Sequence, residues 1–243
     1  MDLTPRQTQI LKAIVDEYMS TADGVGSEVL ERKYSLGVSP ATIRNEMVQL
    51  TEKGFLRQPH TSAGRIPTPV GLRFYVDHLM QEKQMSVADE VAVKEQVWDV
   101  RFDFDKLMRQ TTLALAERTR TLSVVATEDG DVYYAGVANI LDMPEFFDID
   151  VTRTVLSLLD QETRLRQLFF GRTFSDEPVH IVFGQDLGWP YFDPVGVAFT
   201  NFAVGNSRRG TLGVIGPCRL NFPYVIPTLR YYASLLTQLT AGW

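Results

Sequence analysis

The sequence SPATIRNEMVQL at residues 39–50 decides the fold of the first third of the chain. Ser39-Pro40 is typical of a helix start, because the serine hydroxyl can accept a backbone N–H and proline at the first helical position loses no hydrogen bond. Ile43, Met47 and Leu50 recur at helical spacing and predict one apolar stripe. The segment is therefore predicted to form an amphipathic helix whose outer face is small and polar near its start.

The segments before this helix complete a helix-turn-helix. A first helix is predicted to begin at Thr4-Pro5, with Gln7 at capping-box spacing. A second, short helix is predicted to begin with Ser27 as its cap and to run to about Tyr34. Gly37 lies in the connection, where a residue tolerant of positive φ is often needed. In such modules the helix after the turn enters the major groove of DNA.

A short basic hairpin is predicted to follow. Gly54 ends the helix at a C′ position, and residues 55–66 are predicted as strand, loop and strand, the wing of a winged helix-turn-helix. From Lys53 to Val76 the chain has four cations and no acidic residue. Thr68-Pro69 begins a closing helix that is predicted to run through Met80.

The candidate DNA-binding residues lie on the outward face of the third helix and on the wing. Asn can bind adenine with two groups, and Arg can do the same with guanine. Val48 and Glu52 are expected to flank this contact, and a solvated loop position is the alternative for His60. A winged helix can also serve as a protein-interaction module, which is the alternative for the whole segment. The candidates are Ser39, Ala41, Thr42, Arg44, Asn45, Gln49, Arg57, His60, Thr61, Ser62 and Arg65.

The distribution of charge predicts that DNA binds to one limited part of the protein surface. The chain has 24 Lys and Arg against 30 Asp and Glu, a net charge of −6. Residues 1–80 hold nine of each sign, whereas residues 81–243 hold 15 cations and 21 anions. An acidic body weakens nonspecific attraction to DNA. Binding is then expected to depend on base readout and on two copies acting together.

The rest of the chain predicts an α+β domain. Residues 81–122 are predicted as a helical linker or as dimerisation helices, in preference to purely internal core, and residues 123–243 as the second domain. Asp129-Gly130 between apolar runs predicts a hairpin. The other predicted elements are a helix over 151–170, strands over 179–183, 195–204 and 211–215, a turn over 206–210 and a last helix from Asn221 to about Leu239.

Signals for other function classes are weak. Three histidines (His60, His78 and His180) lack ligand spacing, so no metal site and no cofactor are expected, and no catalytic constellation is visible. The glycines at 210, 213 and 216 lie in a strand-like run and not before a helix, which does not support a phosphate loop. One cysteine, with no export signal and no apolar run of spanning length, predicts a cytoplasmic protein without a membrane partner.

Several long motifs stand out along the chain. The N-terminal ones are ATIRNEM (41–47), QPHTSAGRIP (58–67) and YVDHLM (75–80). Later ones are GVANIL (136–141) with PEF (144–146), and GTLGVIGP (210–217). The first set closely resembles motifs of the heat-inducible transcription repressor HrcA family, and the second set is similar to the central domain of that family. The resemblance covers most of the chain except about residues 81–122.

The resemblance implies a winged helix followed by a GAF-like α+β domain that carries an inserted domain. Such repressors bind, as dimers, an inverted-repeat operator called CIRCE ahead of chaperone operons, and the GroE chaperonin keeps them active. A homodimer, double-stranded operator DNA and GroE are therefore the expected partners. By position, the resemblance places Thr42, Arg44, Asn45 and Gln49 toward the groove, and His60, Thr61, Ser62 and Arg65 on the wing.

Two further expectations concern the length of the chain and an alternative function. At 243 residues the chain is shorter than expected for this family, and the hairpin between Ser123 and Asn139 is expected to replace the inserted domain, which in the family helps to pair the subunits. The alternative function is a small-molecule-gated winged-helix regulator. In that case Trp189, Phe192, Phe199 and Phe202 would line a pocket, although filling of the core is the preferred interpretation.

Overall fold

The computed structural model describes residues 3–171, 178–205 and 208–242. The chain divides into two compact units, Met1–Gln81 and Glu82–Trp243, which we call unit 1 and unit 2. Unit 1 is helical with a two-stranded sheet, and unit 2 combines helices with a five-stranded sheet. The expected class, a winged helix-turn-helix followed by a GAF-like α+β domain, is confirmed.

Unit 1 follows the predicted order of elements. Its helices and strands are α1 (Pro5–Thr21), α2 (Ser27–Lys33), α3 (Pro40–Glu52), β1 (Leu56–Arg57), β2 (Ile66–Pro67), α4 (Pro69–Phe74) and a π-helical turn (Tyr75–Leu79). The closing helix thus changes to the wider π-helical form at Tyr75 instead of continuing as α-helix to Met80. Gly37 and Gly54 have φ of 68° and 80°, the conformations that the turn and the helix end require.

Three helix starts of unit 1 have the predicted caps, and one does not. The hydroxyls of Thr4, Ser39 and Thr68 each accept a backbone N–H three residues later. The prediction that Ser27 caps α2 is wrong, because Gly26 occupies the cap position and Ser27 is the buried first helical residue. A glycine also fits a helix N-cap, so the helix begins without a side-chain cap.

Unit 2 is built on one antiparallel sheet with strand order β4-β3-β7-β6-β5. Its strands are β3 (Leu122–Thr127), β4 (Val132–Ala135), β5 (His180–Phe183), β6 (Val195–Val204) and β7 (Arg208–Pro217). Its helices are α5 (Val87–Trp98), α6 (Phe104–Thr119), α7 (Val137–Leu141), the 3-10 turn Pro144–Phe146, α8 (Ile149–Leu159), α9 (Glu162–Phe169), α10 (Gly184–Leu187) and α11 (Phe222–Leu239).

Helices cover both faces of this sheet. One face packs against α8 and α9 through a core that includes Val124, Val155 and Phe199. The other face packs against α6 and α11. Because α6 is buried along the sheet through Leu107, Met108 and Leu115, it belongs to unit 2 and does not form a separate linker. The role of residues 81–122 in dimerisation stays a prediction.

The motif GVANIL joins helix to sheet. Asn139 Nδ2 donates to the carbonyl oxygens of Ala116 (3.2 Å) and Thr121 (3.0 Å), at the end of α6 and just before β3. Gly136 has φ of 80°, and a Cβ there would lie 2.3 Å from the oxygen of Thr121. Glu145 completes this corner, because its carboxylate receives Arg219 Nε at 2.6 Å and Nη2 at 3.0 Å. These motif residues therefore have structural roles.

Some predicted elements of unit 2 differ in detail. The helix expected over 151–170 is two helices, because the backbone leaves the helical conformation at Gln161. The turn expected over 206–210 is wrong at Arg208–Gly210, which pair with β6 as the start of β7. Residues 206 and 207 lie outside the described residues. Cross-strand pairing to a long neighbour extends β7 beyond the apolar run that marked it in the sequence.

The aromatic residues considered for a ligand pocket are core residues on two sides of the sheet. Successive side chains of a strand point to opposite faces, so Phe199 and Phe202 of β6 cannot line one cavity. Phe199 packs with Phe169 at a ring-centroid distance of 5.2 Å, and Phe192 packs with Trp189 at 5.2 Å. Phe192, Phe199 and Phe202 are buried. The core interpretation is the one that agrees with this packing.

Candidate DNA-binding surface

The third helix is fixed in unit 1 by its apolar stripe. Ile43, Met47 and Leu50 are buried against α1 and α2, with exposures of 0%, 5% and 0%. Ser39 Oγ accepts the backbone N–H of Thr42 at 3.3 Å and so caps the end that would enter a groove first. Burial of one face leaves the opposite face of α3 to solvent.

Most predicted DNA-binding residues are accessible, and they divide between α3 and the wing loop. Thr42 and Arg65 are half-buried. The exposed candidates on or next to α3 are Ser39, Ala41, Arg44, Asn45 and Gln49, and those on the wing are Arg57, His60, Thr61 and Ser62. Their contact with bases or phosphates stays a prediction.

A buried amide connects α1 to the exposed face of α3. Gln7 is 2% exposed, and its Nε2 donates to Gln49 Oε1 at 2.8 Å and to Glu46 Oε2 at 3.1 Å. Lys53 Nζ donates to Gln7 Oε1 at 2.8 Å. Gln7 therefore orients the side chain of Gln49 from the buried side of α3. Among the described residues, no side-chain hydrogen bond of this kind holds Asn45. The sequence showed Gln7 only as part of a capping box.

Glu46 places a carboxylate beside the candidate surface. It is half-buried and lies 3.5 Å from Arg6 Nη1. Because Arg6 is cationic and Gln7 donates a hydrogen bond to the same carboxylate, the negative charge is partly compensated within unit 1. The compensation reduces the repulsion that an isolated acid would exert on DNA phosphates.

The wing loop is held in a compact shape by its own side chains. Gln58 Nε2 donates to the carbonyl oxygens of Thr61 and Ala63, both at 2.9 Å. His60 Nδ1 lies 3.1 Å from Ser62 Oγ. Gln58 therefore shapes the loop that presents His60, Thr61 and Ser62, a role that sequence reasoning did not assign.

The base of the wing is tied to the segment between α1 and α2. The backbones of Val25 and Arg65 exchange two N–H···O bonds of 2.9 Å, so this segment extends the sheet of β1 and β2. Gly64 packs so closely that a Cβ there would lie 2.5 Å from the carbonyl carbon of Gly24. Arg65 thus lies at the base of the wing, and its buried Nε has no hydrogen-bond partner among the described residues.

The four cations near the wing are not equivalent. Lys53 donates to Gln7, as described above, and Arg65 is half-buried. Arg57 and Arg73 are exposed. Arg57 is paired in register with Ile66 across the hairpin, and its exposed side chain extends from the first wing strand. It is therefore the candidate cation that can approach a phosphate without rearrangement of the core.

A polar cluster under α2 stabilises the arrangement of the helices. Glu17 is buried, and it accepts hydrogen bonds from Lys33 and, at 3.3 Å, from the hydroxyl of Tyr34. Burial, together with the negative charge of Glu17, raises the pKa of Tyr34 to about 12. Tyr75 donates to Asp16 at 2.6 Å, and burial with this bond raises the pKa of Tyr75 strongly.

Residues 3–171, 178–205 and 208–242 contain no group of three or more His, Cys, Asp or Glu side chains that could hold a metal ion. Within the same residues, no helix combines the length and the hydropathy of a membrane span.

Comparison with known proteins identifies the family. The family model described as "HrcA protein C terminal domain" matches residues 72–226, which is more than half of the chain. The chain belongs to the HrcA family. Its HrcA relatives are transcription repressors, so the chain is a transcription repressor and not an enzyme.

Relatives match over nearly the whole length of this chain. The heat-inducible transcription repressor HrcA of Symbiobacterium thermophilum is 28% identical over 334 positions, which cover 96% of this chain and 98% of the relative. HrcA of Carboxydothermus hydrogenoformans is 27% identical over 335 positions, with coverage of 96% and 97%. Because the chain has 243 residues, at least 91 of those 334 positions face a gap in it. The chain is therefore shorter than this relative within the aligned region.

A solved structure has the same fold. It is described as that of a hypothetical protein, and it superposes with a TM-score of 0.77 at 18% identity, over 99% of this chain and 98% of the other. At this identity the likeness shows the fold alone. It agrees with the α+β class of unit 2.

Proposed function

We propose that this HrcA-family chain binds, as a homodimer, an inverted-repeat operator of the CIRCE type and represses heat-shock and chaperone genes. One observation carries the proposal. The helix α3 is anchored by a buried stripe, while Arg44, Asn45 and Gln49 are exposed on its other side. A helix of this kind presents base-reading groups to a major groove.

Each exposed group has a proposed task. Asn45 would make two hydrogen bonds to an adenine and Arg44 would bind guanine or a phosphate. Gln49, held by Gln7 through its oxygen, retains its amide N–H groups as donors to a base edge. Ser39, Ala41 and Thr42 lie at the start of α3, where small side chains permit close approach to the DNA backbone.

The wing would add contacts that are independent of sequence. Arg57 and the polar loop with His60, Thr61 and Ser62 would lie along the phosphates, and Arg65 would support the base of the loop. The charge balance of unit 1 is neutral, and unit 2 is acidic. Because phosphate contacts are few, two copies on two half-sites would be needed for tight binding.

The names of the relatives support heat-shock genes as the regulated genes. The relatives are named heat-inducible transcription repressors, and the resemblance of motifs implies the CIRCE operator and the GroE chaperonin as a regulatory partner. Action on chromosomal operators places the protein in the cytoplasm.

The proposal is tested with the full chain and two DNA probes of equal composition. One probe carries the inverted repeat from a chaperone promoter of the source genome, and the other has both half-sites scrambled. We expect a preference of about 10³-fold or more for the repeat at physiological salt, and footprints on both half-sites. Equal binding to the two probes would overturn the proposal. Addition of purified GroE chaperonin to the same assay tests regulation, with increased operator occupancy expected.

A further inference from the structure

The helix α5 has two apolar stripes, and only one is covered. Val93 and Val97 are 1% exposed and face α6. Val87, Val91 and Trp98 lie on a second side of the helix with exposures of 77%, 49% and 41%. A helix with apolar residues on two sides is expected to be buried on both. The second stripe therefore requires a partner outside the described fold.

The helix is rigidly attached, so the exposed stripe is a fixed surface. Arg118 Nη2 donates to Asp89 Oδ1 at 2.9 Å, and the hydroxyl of Tyr231 donates to the carbonyl oxygen of Glu90 at 2.8 Å. Just before α5, the carboxylate of Glu82 receives both terminal nitrogens of Arg230 at 2.9 and 3.0 Å. These contacts hold the inner side of α5 against α6 and α11, and the stripe of Val87, Val91 and Trp98 faces solvent.

A groove runs beside the stripe. It has a volume of about 420 Å³ and is lined by Val91, Lys94, Glu95, Trp98 and Asp99. The ammonium of Lys94 lies 5.1 Å from the ring centroid of Trp98. The lining thus combines an aromatic face and a valine with one cation and two anions. A surface of this composition can pair with a second copy of itself.

We infer that α5 is a dimerisation helix that packs antiparallel against α5 of a second copy, about a twofold axis near Ala92 and Val93. The inference rests on the proposed function, because that function requires two copies on one operator. In this register Trp98 packs on Val87 of the second copy. Lys94 lies along Val91 of the second copy, one helical turn from its Glu95.

The charges select the antiparallel orientation. In a parallel pair each residue of the stripe faces its own equivalent, so Lys94 would lie against Lys94 of the other copy. In the antiparallel pair the two lysines are offset by three residues along the axis, and each lies opposite Val91 of the second copy. A second exposed apolar group, formed by Leu141, Phe147 and Ile149, is bordered by acidic residues. Twofold pairing there would bring carboxylates together.

The size of the surface predicts how strong the dimer is. A helix of twelve residues is about 18 Å long, and stable interfaces bury about 800 Å² per partner. The α5 pair alone is smaller than that, even with Phe102, which is 80% exposed next to the helix. The dimer is therefore weak in free solution. Two half-sites on one operator raise the effective concentration and stabilise it.

The test is sedimentation equilibrium of the full chain with four single variants. Trp98→Glu places a charge against Val87 of the second copy at both ends of the paired stripes, and we expect a dimer dissociation constant at least about 30-fold higher. Phe147→Glu is the matched control, an equally drastic change at an exposed aromatic outside α5, and should change the constant by less than about two-fold.

Two substitutions at one position report the orientation. Val91→Glu places a carboxylate beside Lys94 of the second copy, whereas Val91→Lys places a cation there. We expect Val91→Lys to dimerise about ten-fold more weakly than Val91→Glu. In a parallel pair both variants face their own equivalent and lose affinity equally, so equal loss would overturn the arrangement. These exposed positions also keep the inference testable if Trp98→Glu fails to fold.

Two other results would overturn the inference. They are an unchanged dimer in Trp98→Glu, and a wild-type chain that is monomeric both free and on the operator. DNA binding is measured separately on a probe with one half-site, which Trp98→Glu should bind with the affinity of the wild-type chain. A different outcome separates the two proposals. If the wild-type chain and all variants fail to bind the operator while sedimentation still shows the wild-type dimer, the proposed function is contradicted and the α5 interface is not.

Discussion

Gln7 Nε2 lies 2.8 Å from Gln49 Oε1 and donates a hydrogen bond to it. The bond connects the first turn of α1 to the exposed face of α3, between residues 42 positions apart. Because Gln7 is buried and also bonds to Glu46 and Lys53, its loss would remove three side-chain hydrogen bonds at once. The orientation of the candidate DNA-reading face thus depends on a side chain that does not itself face the DNA.

The first prediction concerns this pair. Gln7→Ala should lower the free energy of unfolding by about 1–3 kcal/mol, because Glu46 and Lys53 lose a buried partner. A double-mutant cycle with Gln49→Ala should give a coupling energy of about 0.5–1.5 kcal/mol. The cycle is measured by urea unfolding of the four proteins. Strict additivity would show that the bond contributes nothing.

The second prediction concerns base readout by Asn45. Asn45→Ala should reduce the preference for the inverted repeat over the scrambled probe by about 1–3 kcal/mol, with little change in binding to the scrambled probe. Glu52→Ala, on the same helix but expected to flank the contact, is the control and should keep the preference. Full preference in Asn45→Ala would contradict a base-reading role.

The third prediction concerns the exposed wing cation. Arg57→Ala should weaken binding to both probes alike and reduce the slope of log K against log salt by about 0.9, the value for one lost phosphate contact. Arg65→Ala is also expected to weaken binding to all DNA. Since Arg65 is half-buried at the base of the wing, its variant should in addition lose stability. An unchanged slope in Arg57→Ala would place this cation away from the phosphates.

The local features of unit 1 could be predicted from sequence because their causes are local. Thr4, Ser39 and Thr68 cap helices through bonds that span three residues. The role of Gln7 could not be predicted, since its partner lies in another helix and depends on the packing of α1 on α3. Ser27 was misplaced because a serine and a glycine next to each other both fit a cap position.

In unit 2 the sequence predicted elements better than their packing. The opposite orientation of Phe199 and Phe202 could be predicted from the sequence, since the two residues are three positions apart on one strand. The break between α8 and α9 at Gln161 was not visible, because apolar residues continue on both sides of it. The start of β7 at Arg208 is set by pairing with Val204, a tertiary contact.

The fourth prediction concerns the close approach at the base of the wing. Gly64→Ala should lower stability by about 1–3 kcal/mol, because its Cβ would lie within 2.6 Å of backbone atoms of Gly24 and Val25. The variant should also lose wing-dependent DNA affinity. Gly242→Ala is the control, since a Cβ there meets nothing within 4 Å. Equal urea midpoints for the two variants would contradict the tight packing.

The fifth prediction concerns alkaline pH. The pKa of Tyr34 is about 12 in the folded chain, raised by burial and by Glu17 from an ordinary value of 10. Below pH 10 the phenol is protonated in both states and has no effect on the pH dependence. Between pH 10 and 12 the unfolded chain loses the proton first, so stability falls as pH rises.

The size of this loss attributable to Tyr34 is about 1 kcal/mol, because solvent screens a half-buried group. Urea unfolding of the full chain at about pH 9 and about pH 11.5, followed by helical circular dichroism, measures it. Tyr34→Phe should show a shallower decline than the wild-type chain, and Tyr75, whose pKa is raised in the same direction, should account for part of what remains. Tyr191→Phe, at an exposed position in unit 2, is the control and should retain the full decline. The same slope in Tyr34→Phe and Tyr191→Phe would show that the Glu17 cluster does not hold the phenol protonated.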